Sequence, residues 1–235
     1  MNNQNNTNWD KYWGLINQPS QVLWEVDSES GMGIEITFLQ KSFKNSNLPL
    51  IDFGCGDGNI TQFLAKYFPQ VIGVDVSQNA LNLAKIRTKK AGLDIKYQVI
   101  DTDENIKQIH EDIGDSNVYM RSVLHQIEPE KRILFVENLK TLIGQKGTLF
   151  LMEITTQAED RFPEGTAIDN PSQIRRLLDC GVKPDHVKLE ELQNLFSSSN
   201  FSILEVDKVL MPMNATIKGE TAVMDYLYAV ISTAN

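Results

Sequence analysis

The chain has little cysteine: Cys55 and Cys180 are the two it carries. Two thiols cannot build a disulfide framework, and no zinc-site spacing accompanies them. Long apolar runs are also missing. Nothing approaches the roughly 18 apolar residues of a membrane-spanning helix. The first residues, Met-Asn-Asn-Gln-Asn-Asn-Thr-Asn, lack the basic and apolar regions of a secretion signal. There is no cationic excess either, since 22 basic side chains face 31 acidic ones for a formal charge of −9. That field repels phosphates, which argues against nucleic acid or an anionic membrane as the main partner. No two histidines share a helical face, so no metal is expected. The expected location is the cytoplasm, as a monomer or homodimer.

What is present suits one domain, with 41% hydrophobic residues over 235 positions. Residues 1–8 are nearly all Asn or Gln and read as a disordered tail. Residues 9–235 read as a single domain. The aromatic residues Trp9, Tyr12, Trp13 and Trp24 and a helix over 32–43 place a helical lid at 9–47. From residue 48, short apolar runs alternate with helical patterns. Strands are expected at 50–53, 70–74, 95–100, 117–120 and 148–154. Helices are expected after the glycine cluster at 54–58, after Ser77, over 104–113, and from Pro129 to residue 143. Strands separated by helices predict an α/β fold with a mostly parallel sheet and helices on both faces. The alternation breaks at residue 155. A polar insertion over 155–187 should shape a substrate pocket, and one helix is expected near 171–180. A helix with Leu189, Leu192, Leu195 and Phe196 follows. Segments 201–211 and 222–232 read as closing strands joined by a loop.

The segment Asp52-Phe53-Gly54-Cys55-Gly56-Asp57-Gly58 is a strand end, a glycine turn and a helix start. Glycines let the chain turn sharply and let a ligand approach the backbone. The carboxyl end of the first strand is the expected ligand crevice. Asp75, ending the second strand, can accept both hydroxyls of a ribose. Asp101, ending the third, can accept from an adenine amino group. The third glycine comes one residue too early for a dinucleotide fingerprint. Asp52 and Asp57 would repel a pyrophosphate and attract an amine.

With these residues in place, the chain resembles the class I S-adenosylmethionine-dependent methyltransferases of small-molecule type. Asp52, Gly54, Gly56 and Gly58 match the acidic-x-Gly-x-Gly-x-Gly motif. Residues 72–77, 100–102, 118–127 and 144–154 resemble the later motifs in order. The resemblance implies a Rossmann-like seven-stranded sheet with an antiparallel last strand. It implies S-adenosyl-L-methionine as cofactor and S-adenosyl-L-homocysteine as product. Gly54 and Gly56 would then pass the methionine part, and Asp52 would lie near its ammonium. Asp75 would hold the ribose, Val76 would pack on adenine, and Asp101 with Thr102 would read the adenine edge. Arg121 departs from the motif, and would bind either the cofactor carboxylate or a substrate anion.

Methyl transfer to a hydroxyl needs a base, and His125 is the candidate. Its competing reading is a helix cap. Tyr12, Trp13, Tyr119 and Glu153 are candidates for substrate contact. For Glu153 the alternative is a solvated strand end; for the N-terminal aromatics it is plain packing. The expected activity is methylation of an oxygen or nitrogen of a small-molecule metabolite. The alternatives are an NAD-dependent oxidoreductase and methylation of a protein or RNA.

Overall fold

The computed structural model describes residues 3–25, 33–155, 169, 171–182 and 185–234. Seven strands form one sheet: β1 (Leu50–Phe53), β2 (Val71–Asp75), β3 (Lys96–Val99), β4 (Asn117–Arg121), β5 (Leu149–Ile154), β6 (Phe201–Ile217) and β7 (Glu220–Thr233). Their order is β3-β2-β1-β4-β5-β7-β6. The first five are parallel, and β7 runs antiparallel to both β5 and β6. The Rossmann-like α/β expectation is met, with its antiparallel β7.

Strands β1, β2 and β4 are buried along their whole length. Helices cover both sheet faces, so these strands read as continuous apolar runs rather than alternating ones. The helices are α1 (Asn3–Gly14), α2 (Gly33–Ser42), α3 (Asn59–Leu64), α4 (Gln78–Ala91), α5 (Asp103–Ile113), α6 (Arg132–Ile143), α7 (Ser172–Asp179) and α8 (Leu189–Ser198). On one face Ile106 and Ile109 of α5, Phe135 and Leu139 of α6 and Phe196 of α8 pack on the sheet. On the other, Leu39 of α2 meets Phe63 and Leu64 of α3. Chain order changes direction between adjacent β1 and β4, which opens a crevice at their carboxyl ends.

Two expectations are corrected. Residues 3–8 are the first turns of α1 rather than a disordered tail. Their amides are used: Asn5 Nδ2 donates to the Gln126 carbonyl at 2.8 Å, and Asn8 Nδ2 to that of Gly181 at 3.0 Å. The expected loop over 212–221 is mostly strand. β6 and β7 run on as a ribbon to a tight turn at Lys218 and Gly219, both with positive φ. Pro212 is tolerated because β6 is an edge strand and the register shifts between Pro212 and Thr216. Parts of the 9–47 and 155–187 segments, residues 26–32, 156–168, 170 and 183–184, lie outside the described residues.

Candidate cofactor and acceptor site

A cavity of about 400 Å³ sits over the carboxyl ends of β1 and β4. The glycine turn forms its floor. The N–H groups of Gly54 and Cys55 donate to the Val74 carbonyl, which folds the turn onto β2. Gly56 has φ +54°, and a Cβ there would stand 2.7 Å from the ring of Trp13. Only glycine admits that ring.

Asp75 closes the turn from β2. Its Oδ2 accepts from Gly56 N–H and its Oδ1 from Ser77 N–H, both at 2.9 Å. These bonds do not exhaust the roughly four acceptor sites of a carboxylate, and Asp75 lines the cavity. Burial pushes its pKa up to about 6, against the opposing pull of main-chain N–H groups. Asp52, also in the wall, accepts from the Thr61 hydroxyl at 2.6 Å and so anchors the start of α3. Asp57 shares the Arg87 guanidinium with Glu25. Burial raises the Asp57 carboxyl, and burial with the Asp57 charge pushes Glu25 up to about 7. The Cys55 thiol is pushed well up by burial and by Asp75, Asp52 and Asp57, which leaves it an inert packed side chain.

The opposite wall comes from β4 and β5. Ser122 takes φ +60° directly after β4, and the 3₁₀ turn Leu124–Gln126 follows. Arg121 is buried at the strand end, with its guanidinium 5.9 Å from the ring centre of Tyr226. His125 Nδ1 lies 2.6 Å from Glu153 Oε2. Glu153 also accepts from the N–H groups of Val123, Leu124 and His125 at 2.9, 2.6 and 3.3 Å. A carboxylate only accepts, so Nδ1 carries the proton and Nε2 keeps its lone pair. The Gln126 amide donates to that lone pair. Trp9, Trp13, Leu23, Trp24, Leu177, Met213, Met224 and Tyr226 complete the wall as an apolar surface.

A methyltransferase-domain family model matches residues 50–147. A solved S-adenosylmethionine-dependent methyltransferase from Anabaena variabilis is 32% identical, with TM-score 0.86, over 99% of this chain and 96% of that one. The chain belongs to the S-adenosylmethionine-dependent methyltransferases. A curated relative named ubiquinone biosynthesis O-methyltransferase, from Hydrogenovibrio crunogenus, is 25% identical over 119 residues, 48% of this chain and 49% of that one. Its namesake from Bartonella quintana is 26% identical over 174 residues, 72% of this chain and 66% of that one. Matched segments thus span about half to two thirds of these curated relatives.

The residues suit the methyltransferase cofactor. A pinned carboxylate with acceptor sites to spare, an acidic glycine turn and an apolar wall match a ligand bearing ribose hydroxyls, an amine and a flat base. Asp52, Gly54, Gly56, Asp75, Val76, Tyr119, Arg121, His125 and Trp13 all line the cavity. Four expected residues do not. Asp101 is exposed, and Thr102 is the N-cap of α5, accepting from Asn105 N–H. The chain turns inward one residue earlier, so Ile100 and, past the cap, Asp103 line the cavity instead. Tyr12 is buried in the ring cluster of Trp9, Trp13 and Trp24. Glu153 sits behind His125, fully buried, rather than against a substrate. Glu25, Gln126 and Tyr226 were not foreseen. For Gln126 the adjacency to His125 was the available signal, and for Tyr226 the alternation within β7.

Proposed function

We propose that the protein transfers the methyl group of S-adenosylmethionine to a small-molecule hydroxyl, with nitrogen as the lesser alternative. The observation that carries this reading is that one cavity is lined both by Asp52, Gly54, Gly56, Asp75 and Val76 and by His125. The names of the curated relatives support oxygen as the acceptor atom. The acidic glycine turn counts against an NAD-dependent oxidoreductase, and the charge of −9 against RNA.

When bound, the cofactor supplies an activated methyl group together with its leaving group. The chain does the rest. Asp75 holds the ribose hydroxyls, and Val76 and Ile100 border the adenine. Asp52, Gly54 and Gly56 bound the methionine end. Arg121 takes a carboxylate, of the cofactor or of the acceptor. His125 accepts the hydroxyl proton at Nε2 once the Gln126 amide turns aside. Glu153 fixes the tautomer that makes this acceptance possible. Leu177, Met213, Met224 and Tyr226 border an apolar acceptor. Residues 3–25 act as a cover that excludes water.

Thermal unfolding with S-adenosylhomocysteine and, separately, NADH tests the reading. A ligand at 100 times its Kd adds about 2.7 kcal/mol, which raises the midpoint of a chain this long by about 5–10 °C. A shift with NADH alone would overturn the proposal.

A further inference from the structure

Glu25 and Asp57 both line the cavity, and both lie on one guanidinium, that of Arg87 in α4. Two carboxylates on one cation leave an excess negative charge facing the cavity. The other charged or titratable groups acting on Glu25 and its neighbour Tyr12 are Arg121 at the end of β4, Arg176 in α7 and the Cys180 thiol that follows α7. A second feature lies behind that wall, since Tyr12 does not itself line the cavity. The Tyr12 hydroxyl is buried and has no hydrogen-bond partner among the described residues. It lies within electrostatic reach of both Asp57 and Glu25. Trp13 and Trp24 stand in the same wall, and their ring faces favour a cation. An ammonium offers three donors and a positive charge to such a setting.

We infer that Glu25 is a cofactor-binding residue. With Asp57 it receives the ammonium of the methionine end. This rests on the proposed cofactor reading and extends it, because Glu25 belongs to the N-terminal cover and not to the glycine motif. The charged cofactor is then itself one of the pins that hold residues 3–25 closed. Without the cofactor, a proton on Glu25 offsets part of the excess charge, since its pKa is pushed up to about 7. Cofactor binding displaces that proton to solvent.

The test is calorimetry on the full chain with two probes. S-adenosylhomocysteine carries the ammonium, whereas 5′-methylthioadenosine lacks the amino-acid end. At pH 8, Glu25→Gln should weaken S-adenosylhomocysteine about tenfold and leave 5′-methylthioadenosine within about twofold, the scale of one charge-assisted hydrogen bond. Arg87→Gln should keep S-adenosylhomocysteine within about threefold, because it frees both carboxylates. At pH 7, in buffers of different ionisation enthalpy, binding to the native protein should release about half a proton. Glu25→Gln should release far less. If the native protein does not bind S-adenosylhomocysteine, the cofactor reading falls first and this inference with it. If it binds and Glu25→Gln binds equally well, this inference alone is overturned. Equal losses for both probes, or equal losses in Glu25→Gln and Arg87→Gln, would reduce Glu25 to a mechanical latch.

Discussion

Glu153 holds His125 from behind: the imidazole Nδ1 and the carboxylate Oε2 are 2.6 Å apart, and both side chains are buried. The same carboxylate collects three main-chain N–H groups of the turn that carries the histidine. It therefore sets both the ring orientation and the loop path. Glu153→Gln replaces one accepting oxygen by an NH2 group, so at least one buried donor loses its partner. The expected cost is about 2–4 kcal/mol, a midpoint lowered by about 5–12 °C. Calorimetric unfolding measures the first effect. Long-range ¹⁵N–¹H correlation should show the Nδ1–H tautomer for His125 in the native protein. A loss below about 0.5 kcal/mol, or the other tautomer, would remove Glu153 from this role.

Much of the central sheet was legible because parallel strands covered on both faces must be nearly all apolar, and Leu50–Phe53 and Val71–Asp75 are. Asp75 was legible because it ends such a strand beside a glycine turn. Glu153 was not, since strand periodicity does not say that the next turn folds back onto its carboxylate. Asp101 failed by a step of one or two residues: Thr102 caps α5 and leaves Asp101 outside while Asp103 reaches the cavity. The Asn-rich start failed because composition counts apolar burial. It does not count amides such as Asn5 and Asn8 that bond distant carbonyls.

Asp75 should share the acid limb of cofactor binding with Glu25. The Asp75 pKa is pushed up to about 6 by burial, above the unfolded value near 3.9. Between those values the folded state binds more protons than the unfolded one, so this group makes stability fall as pH rises from about 4 to 6. Binding goes the other way, because only the ionised carboxylate accepts from hydroxyls while holding Gly56 and Ser77. In the Glu25→Gln protein, where Asp75 acts alone, the affinity for S-adenosylhomocysteine should therefore fall about tenfold from pH 7 to pH 5. Asp75→Ala should bind about 10- to 100-fold more weakly at pH 7 and, combined with Glu25→Gln, lose most of this acid limb. Isothermal titration at several pH values measures both. A flat profile in the Glu25→Gln protein would mean that Asp75 does not hold the ribose.

Gly56 and Gly92 both take positive φ, at +54° and +68°, but only Gly56 has a neighbour in the space a Cβ would fill. Gly92→Ala should cost about 1–2 kcal/mol from backbone strain alone. Gly56→Ala adds the contact with the Trp13 ring and should cost about 2–4 kcal/mol. It should also weaken S-adenosylhomocysteine by displacing that ring from the cavity wall, whereas Gly92→Ala should leave affinity unchanged. Denaturant unfolding and calorimetry compare the pair. Equal effects on affinity would show that the Trp13 contact with the glycine turn carries no weight.

Asp10 ties α1 to the start of α4. Its carboxylate accepts from the Ser77 hydroxyl at 2.7 Å, from Asn79 N–H at 2.9 Å and from the Asn79 amide at 3.0 Å. An anion at that position also meets the positive end of the α4 dipole. Asp10→Ala should remove about 2 kcal/mol, concentrated in the attachment of α1 rather than in the sheet. Local opening at that cost speeds amide exchange in α1 by about 30-fold, while β1 and β4 keep their native protection. Dissociation of S-adenosylhomocysteine should quicken along with it, because Trp13 and Glu25 leave the cavity wall when the segment lifts. Hydrogen exchange and stopped-flow displacement report the two effects independently. Faster exchange with an unchanged dissociation rate would mean that residues 3–25 pack on the domain without closing its site.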